Sequence, residues 1–345
     1  MPSDNPQSMQ NYRAPLWLPG GHLQTIWPAL YGQRVEGPLP RFDRERWDTP
    51  DGDFIDVDGL RGAGDAPAGL LVLFHGLEGS TQSQYAQAYA GWARERGLAY
   101  AVPHFRGCSG ELNRAPRAYH SGDWQEIDWI LRRLRARFNA PGQRLIAVGI
   151  SLGGNALLRW AGELGDAAAQ VADAVAAVCS PLDLAAGGHA IGRGFNRQVY
   201  TRMFLSTMKP KALAKWDQHP GLFDRERLRL ARTLYEFDDV FTAPLHGFRN
   251  TDDYWSRASA KPHLPAIRIP ALALNARNDP FVPARSLPTK QDAGSHVTLW
   301  QPAQGGHVGF PCGRWPAGHV MGMPRAVGEW LLNAAGLESK VAAHG

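Results

Sequence analysis

The stretch RLIAVGISLGGNALLRWAGEL, residues 144–164, decides how the rest of the chain is read. RLIAVGI is an apolar run of strand length, and ALLRWAGEL places apolar residues at helical spacing. Between them stands GISLGGN, residues 149–155, with no loop and with Ser151 wedged between glycines. A strand that passes straight into a helix must turn very sharply. Glycines suit such a turn because a Cβ there would strike the neighbouring strand or helix. The serine is then expected in a strained backbone conformation, its Oγ exposed and the first helical amide beside it.

Outward from this point, strands and helices alternate. RERWDTPDGDFIDVDG reads as a hairpin turning at Asp51-Gly52, and GLLVLF (residues 69–74) as a buried strand. SQYAQAYAGWARERG has helical spacing and closes at Gly97, and LAYAVPHF follows as a strand. Residues 123–138 form a helix with Trp124, Ile127, Ile130, Leu131 and Leu134 on one face. ADAVAAVCS, ALALNA and HVTLW are three further buried strands, and MPRAVGEWLLNAA is a closing helix. This pattern predicts an α/β fold, a mostly parallel central sheet flanked by helices, in a single domain spanning residues 1–345. Residues 185–260 break the rhythm with helical stretches only, such as RERLRLARTLYEF, whose Leu228, Ala231, Leu234 and Tyr235 form a helical stripe. They read as a helical insertion between two sheet strands, the natural place for a lid. Roughly the first 12 and last 8 residues are expected to be loose.

Composition narrows the class. At 345 residues and 44% hydrophobic content the chain can bury a sizeable core. No segment approaches the roughly 18–20 apolar residues that span a bilayer. MPSDNPQSMQNYRAPLW has neither a basic nor an apolar signal region. Cys108, Cys179 and Cys312 show no regular or metal-binding spacing, so no structural disulfide is expected and the cytoplasm is the expected compartment. The net charge of +5 is mild. Clusters such as RRLRAR (residues 132–137) fit the solvated end of a helix, and no basic stripe interleaved with aromatics points to nucleic acid. Weak contact with an anionic lipid surface is compatible with this charge.

Residues 149–153 match G-x-S-x-G. Chance alone supplies roughly 0.1–0.2 copies of that pattern in such a composition, so its position between strand and helix carries the weight. The amide of Leu152, at the helix N-terminus, is positioned to stabilise an oxyanion, and the amide of Leu77 in LVLFHGLEGS is the candidate second donor. A serine hydroxyl needs a base, and histidine has the appropriate pKa. Asp279 follows the strand of ALALNARN and His307 follows the strand of HVTLW. The order is thus Ser, acid, His, each past a strand end on one edge of a parallel sheet. Asp183 and His319 remain alternatives for acid and base. His22, His120 and His189 read as structural or surface groups, and no histidine pair has metal-ligand spacing, so no metal or other cofactor is expected.

These residues resemble the YheT-like branch of the α/β-hydrolases, related to the eukaryotic ABHD lipases and the medium-chain fatty-acid ethyl ester synthase/esterases. The matching stretches are GHLQTI, HGLEGS, FRGCSGE, GISLGGN, DDVFTAPLHGF, DYWSRAS, LNARNDPF and GGHVGF, spread over residues 21–310. The resemblance implies the α/β-hydrolase fold, with Ser151 as nucleophile, Asp279 as orienting acid, His307 as base and Leu77 and Leu152 as amide donors. It implies hydrolysis of short- to medium-chain acyl esters through an acyl-enzyme, without cofactor. The alternatives are acyl transfer to an alcohol by the same trio, or a hydrolase fold that binds without turnover. His104 stands where the family pattern has asparagine, and residues 311–323 depart from it. Arg106 and Glu111 are expected to form a buried ion pair, and Phe241, Tyr254 and Trp255 to be core aromatics.

Overall fold

The computed structural model describes residues 8–62 and 67–337. Eight strands, β1 (Phe42–Asp48), β2 (Phe54–Leu60), β3 (Gly69–Phe74), β4 (Ala99–Pro103), β5 (Arg144–Ile150), β6 (Ala174–Val178), β7 (Ala271–Leu274) and β8 (Val297–Trp300), form one sheet. Their order is β1-β2-β4-β3-β5-β6-β7-β8. Strands β3 to β8 run parallel, and the predicted hairpin β1–β2 joins antiparallel to β4. The edge strand β1 is protected by charge. Arg44 and Arg46 pair across the ladder with Asp58 and Asp56, which blunts an edge that would otherwise recruit another strand.

Period-2 alternation divides the core between the two faces of the sheet. Leu70, Val72 and Phe74 of β3, with Leu145 and Ala147 of β5, pack toward α3 (Trp124–Arg137) and α4 (Leu152–Leu164). Leu71 and Leu73, with Ile146 and Val148, pack toward α2 (Gln84–Glu95) and the C-terminal helix Gly322–Ala334. Both faces are therefore apolar along β3 and β5, which is why those strands read as unbroken apolar runs.

Between β6 and β7 the chain forms helices joined by short turns and no strand, including Leu184–Ile191, Arg202–Gln218 and Thr251–Ala258. Asn155 in α4 fixes the return of this insertion to the sheet. Its Nδ2 donates to the carbonyls of Ser121 and Ala258 (both 2.8 Å), and its Oδ1 accepts from Ala260 N–H (2.9 Å).

Three expectations are corrected. RERLRLARTLYEF is two helices, Arg225–Leu230 and Leu234–Phe237, because Ala231 turns extended (ψ 129°) and the Thr233 hydroxyl caps the second. Of the N-terminal residues expected to be loose, Met9 is fully buried and Tyr12 donates its hydroxyl to the Pro311 carbonyl. The last 8 residues lie outside the described residues. Arg106 does not pair with Glu111. Its guanidinium points inward to Asp53 (2.8 Å) and Glu126 (2.6 Å), buried carboxylates that need a cation, and also meets the exposed Asp51 (2.9 Å), while exposed Glu111 meets Arg46 (2.7 Å). GHLQTI forms part of a helix, α1 (Gly20–Leu30).

Candidate active site

Strand β5 runs into α4 through Ser151, whose φ of 51° and ψ of −116° lie in a region that non-glycine residues avoid. The Ser151 amide donates to the Val178 carbonyl on β6 (2.8 Å), pinning the turn to the sheet. The glycines are required by close approach. A Cβ on Gly149 would lie 2.4 Å from the Gly154 Cα, and one on Gly153 would lie 2.4 Å from the Phe74 carbonyl oxygen.

Asp279 and His307 come from the loops after β7 and β8, and the structure brings both to Ser151. His307 Nε2 lies 3.0 Å from the Ser151 Oγ, and Nδ1 lies 2.8 Å from Asp279 Oδ2. The other Asp279 oxygen accepts from the amides of Phe281 (2.7 Å) and Val282 (3.2 Å), so the carboxylate is fixed on both sides. The Phe281 ring covers the imidazole at 4.1 Å.

The loops that carry Asp279 and His307 are held together by α1, and this no periodicity could show. Gln24 is fully buried. Its Oε1 accepts from Asn278 Nδ2 (2.8 Å) and Gly305 N–H (3.0 Å), and its Nε2 donates to the Leu18 carbonyl (2.8 Å). Thr25 Oγ1 accepts from the amide of His307 itself (2.8 Å). GHLQTI thus registers the Asp279 loop against the His307 loop.

Leu77 and Leu152 both border the cleft beside Ser151 and His307. Among the described residues neither amide has a hydrogen-bond partner. The loop carrying Leu77 is braced from below by His75. Its Nδ1–H donates to the Gly76 carbonyl (2.7 Å) and its Nε2 accepts from Phe105 N–H (3.0 Å). Burial pushes its pKa down to about 3, so this ring stays neutral. Glu78, at φ 58°, is clamped by Tyr119, which accepts from its amide (3.1 Å) and donates to its Oε1 (2.9 Å). Lys211 from the inserted helix reaches its Oε2 (2.8 Å).

The cleft above Ser151 measures about 1160 Å³, part of it open to solvent. Its walls include Leu112, Phe204, Met208, Phe237, Phe241 and Trp255. Phe241, Tyr254 and Trp255 are buried as expected, yet they are also cleft walls, which spacing alone could not distinguish from core.

The alternative acid and base stand elsewhere. Asp183 caps the helix Leu184–Ile191, accepting from Ala186 N–H (3.0 Å), and His319 is bridged to Cys312 and Gln33. His22 meets Tyr200 Oη (3.1 Å), His189 packs edge-on to Trp255 (5.4 Å), and burial drives His120 down to about 3. Cys179, Asp279 and His307 offer potential ligand atoms within 4.8 Å of one another. Both imidazole nitrogens are already engaged, and burial raises the Cys179 thiol well above its ordinary pKa, so the cluster has the chemistry of a hydrogen-bond network.

A strained serine at a strand–helix turn, with a histidine and an aspartate at successive strand ends of a parallel sheet, defines a class of protein. The sequence model of the alpha/beta hydrolase fold matches residues 69–311, most of the chain. The chain belongs to the α/β-hydrolase family, in its YheT-like branch, and is a hydrolase of the esterase–lipase type. It is 39% identical over 293 residues to the Escherichia coli (strain K12) protein named "Putative esterase YheT", covering 84% of each chain. It is 30% identical over 251 residues to the phospholipase ABHD3 of Mus musculus, covering 71% of this chain and 59% of that one. An esterase of Pyrococcus furiosus shares the fold, with a TM-score of 0.52 at 14% identity over 90% of this chain and 97% of that one. Among the described residues no helix is long and apolar enough to cross a membrane.

Proposed function

We propose that the protein is a serine carboxylesterase acting on short- to medium-chain acyl esters through an acyl-enzyme on Ser151. The observation that carries this reading is the unbroken chain from Asp279 Oδ2 through His307 to Ser151 Oγ, at 2.8 and 3.0 Å. His307 Nε2 takes the hydroxyl proton as Oγ bonds to the ester carbonyl carbon. Asp279 keeps the Nδ1 proton in place and stabilises the imidazolium. The unpartnered amides of Leu77 and Leu152 receive the negative oxygen. Collapse of the tetrahedral species breaks the ester C–O bond, and His307 hands its proton to the departing alkoxide. Water, deprotonated by the same nitrogen, then attacks the acyl-enzyme and frees the acid and Ser151.

The apolar walls supplied by the helical insertion, which we assign as a lid, favour an aliphatic acyl chain over acetate. The buried free thiols of Cys108 and Cys179 suit a reducing compartment, the cytoplasm. The test is hydrolysis of p-nitrophenyl butyrate and octanoate together with labelling by a fluorophosphonate. Ser151→Ala is expected to lower kcat by roughly 10⁴-fold or more and to abolish labelling. Turnover or labelling that survives this substitution overturns the reading.

A further inference from the structure

Residues 184–216 contain no aspartate or glutamate, yet they carry Arg193, Arg197 and Arg202 within one short stretch. The helical turns that begin at Gly194 direct Tyr200 and Leu205 inward, where both are buried. Phe195, Val199 and Met203 are spaced four apart and so share one helix face. They are 54%, 36% and 54% exposed. The arrangement is ordered, because the Phe195 ring packs on His22 of α1 at 4.6 Å and on Tyr200 at 6.2 Å. Lys211 is engaged by Glu78 (2.8 Å) and Lys209 by the Arg229 carbonyl (2.7 Å). Among the described residues the three arginines form no ion pair. The stripe adjoins the active site, since Tyr200 packs on Phe281 at 4.6 Å and Phe281 on His307 at 4.1 Å.

We propose that this outer face of the insertion docks the protein on an anionic lipid surface, placing the mouth of the cleft beside lipid-borne esters. Exposed apolar side chains with flanking guanidinium groups are what an interfacial helix needs. The former enter the boundary between headgroups and acyl chains, and the latter sit among lipid phosphates. A second copy of the chain would fit this face poorly, because a two-fold contact would bring unpaired arginines together out of water. Only the delivery of substrate depends on the esterase reading; docking does not.

The test is cosedimentation of the full chain with vesicles of phosphatidylcholine alone and of equal parts phosphatidylcholine and phosphatidylglycerol. Binding is expected to the mixed vesicles only and to weaken as salt is raised. Each arginine contributes roughly fivefold to partitioning, so Arg193→Gln, Arg197→Gln and Arg202→Gln combined are expected to reduce it by roughly 10²-fold. Phe195→Ser, Val199→Ser and Met203→Ser combined are expected to abolish it. Both variants are expected to hydrolyse soluble p-nitrophenyl butyrate like the parent, which verifies that they are folded. Equal sedimentation with the two vesicle types, no sedimentation, or undiminished binding by either folded variant overturns the proposal. So does light scattering that finds a dimer dissolved by the three serine substitutions. A parent protein that binds mixed vesicles but cleaves no ester would leave docking standing and refute the esterase reading.

Discussion

Ser151 holds a conformation that costs on the order of 1–3 kcal/mol and survives because strand, helix and the Val178 carbonyl over-determine it. In the proposed mechanism its reactivity depends on the tautomer of His307, which Asp279 sets from the far side of the ring. Asp279→Asn keeps the shape but offers its amide N–H to Nδ1, stabilising the tautomer that has no lone pair facing Ser151. Steady-state kinetics on p-nitrophenyl butyrate are expected to show kcat reduced by about 10⁴-fold with KM little changed. The meeting of these three side chains was legible in the sequence because each follows a strong local signal: a glycine-framed turn, or the end of an apolar strand. The position of Leu77 and Leu152 at the cleft was legible for the same reason, since it is set by the strand exits that precede them.

At the scale of elements, the supporting parts were hidden. α1 contributes no side chain to the serine–histidine–aspartate chain, but Gln24 and Thr25 hold the Asp279 and His307 loops in register. Gln24→Leu conserves volume and leaves Asn278 Nδ2 without the oxygen of Gln24, and likewise the amide of Gly305. Misplacing the base by even a fraction of an ångström is costly, so kcat is expected to drop by roughly 10²-fold. Fluorophosphonate labelling should slow in parallel while the protein remains folded by circular dichroism. The hidden role has a physical cause: GHLQTI is short, carries a proline two residues on, and meets its partners more than 250 positions away (|i−j| = 254 and 281–282). The break at residues 231–233 was missed for a related reason. Apolar spacing continues across it, and only the capping hydroxyl of Thr233 marks the new start.

Across the whole molecule, the cleft places polar groups where water is scarce, with consequences for stability. Asp238 faces the cleft, accepting from Thr242 Oγ1 (2.6 Å) and Trp255 Nε1 (2.9 Å), and burial raises its pKa to about 6. The folded state therefore keeps this proton up to about pH 6, whereas the unfolded chain releases it near its ordinary value of 3.8. Between those values the folded state binds more protons, so the contribution of Asp238 to stability falls as pH rises and is constant above the window. Asn in its place can accept from Trp255 and donate to Thr242 without a charge. Relative to the parent, Asp238→Asn is expected to be nearly neutral at about pH 4 and stabilising by roughly 3 kcal/mol above about pH 6, read from urea unfolding across the range. The sequence by itself determined the alternating strands and helices, the run of helices between β6 and β7, and the placing of Ser151, Asp279 and His307 past successive strand ends. Those are written in local periodicity and turn chemistry, which report the faces a segment must bury. Tertiary structure alone decided which distant side chains meet, that Arg106 turns inward rather than to Glu111, and that Phe195, Val199 and Met203 are left facing outward. An apolar side chain records a tendency to leave water, and only the packing of the complete chain determines whether another part of the same molecule is there to receive it.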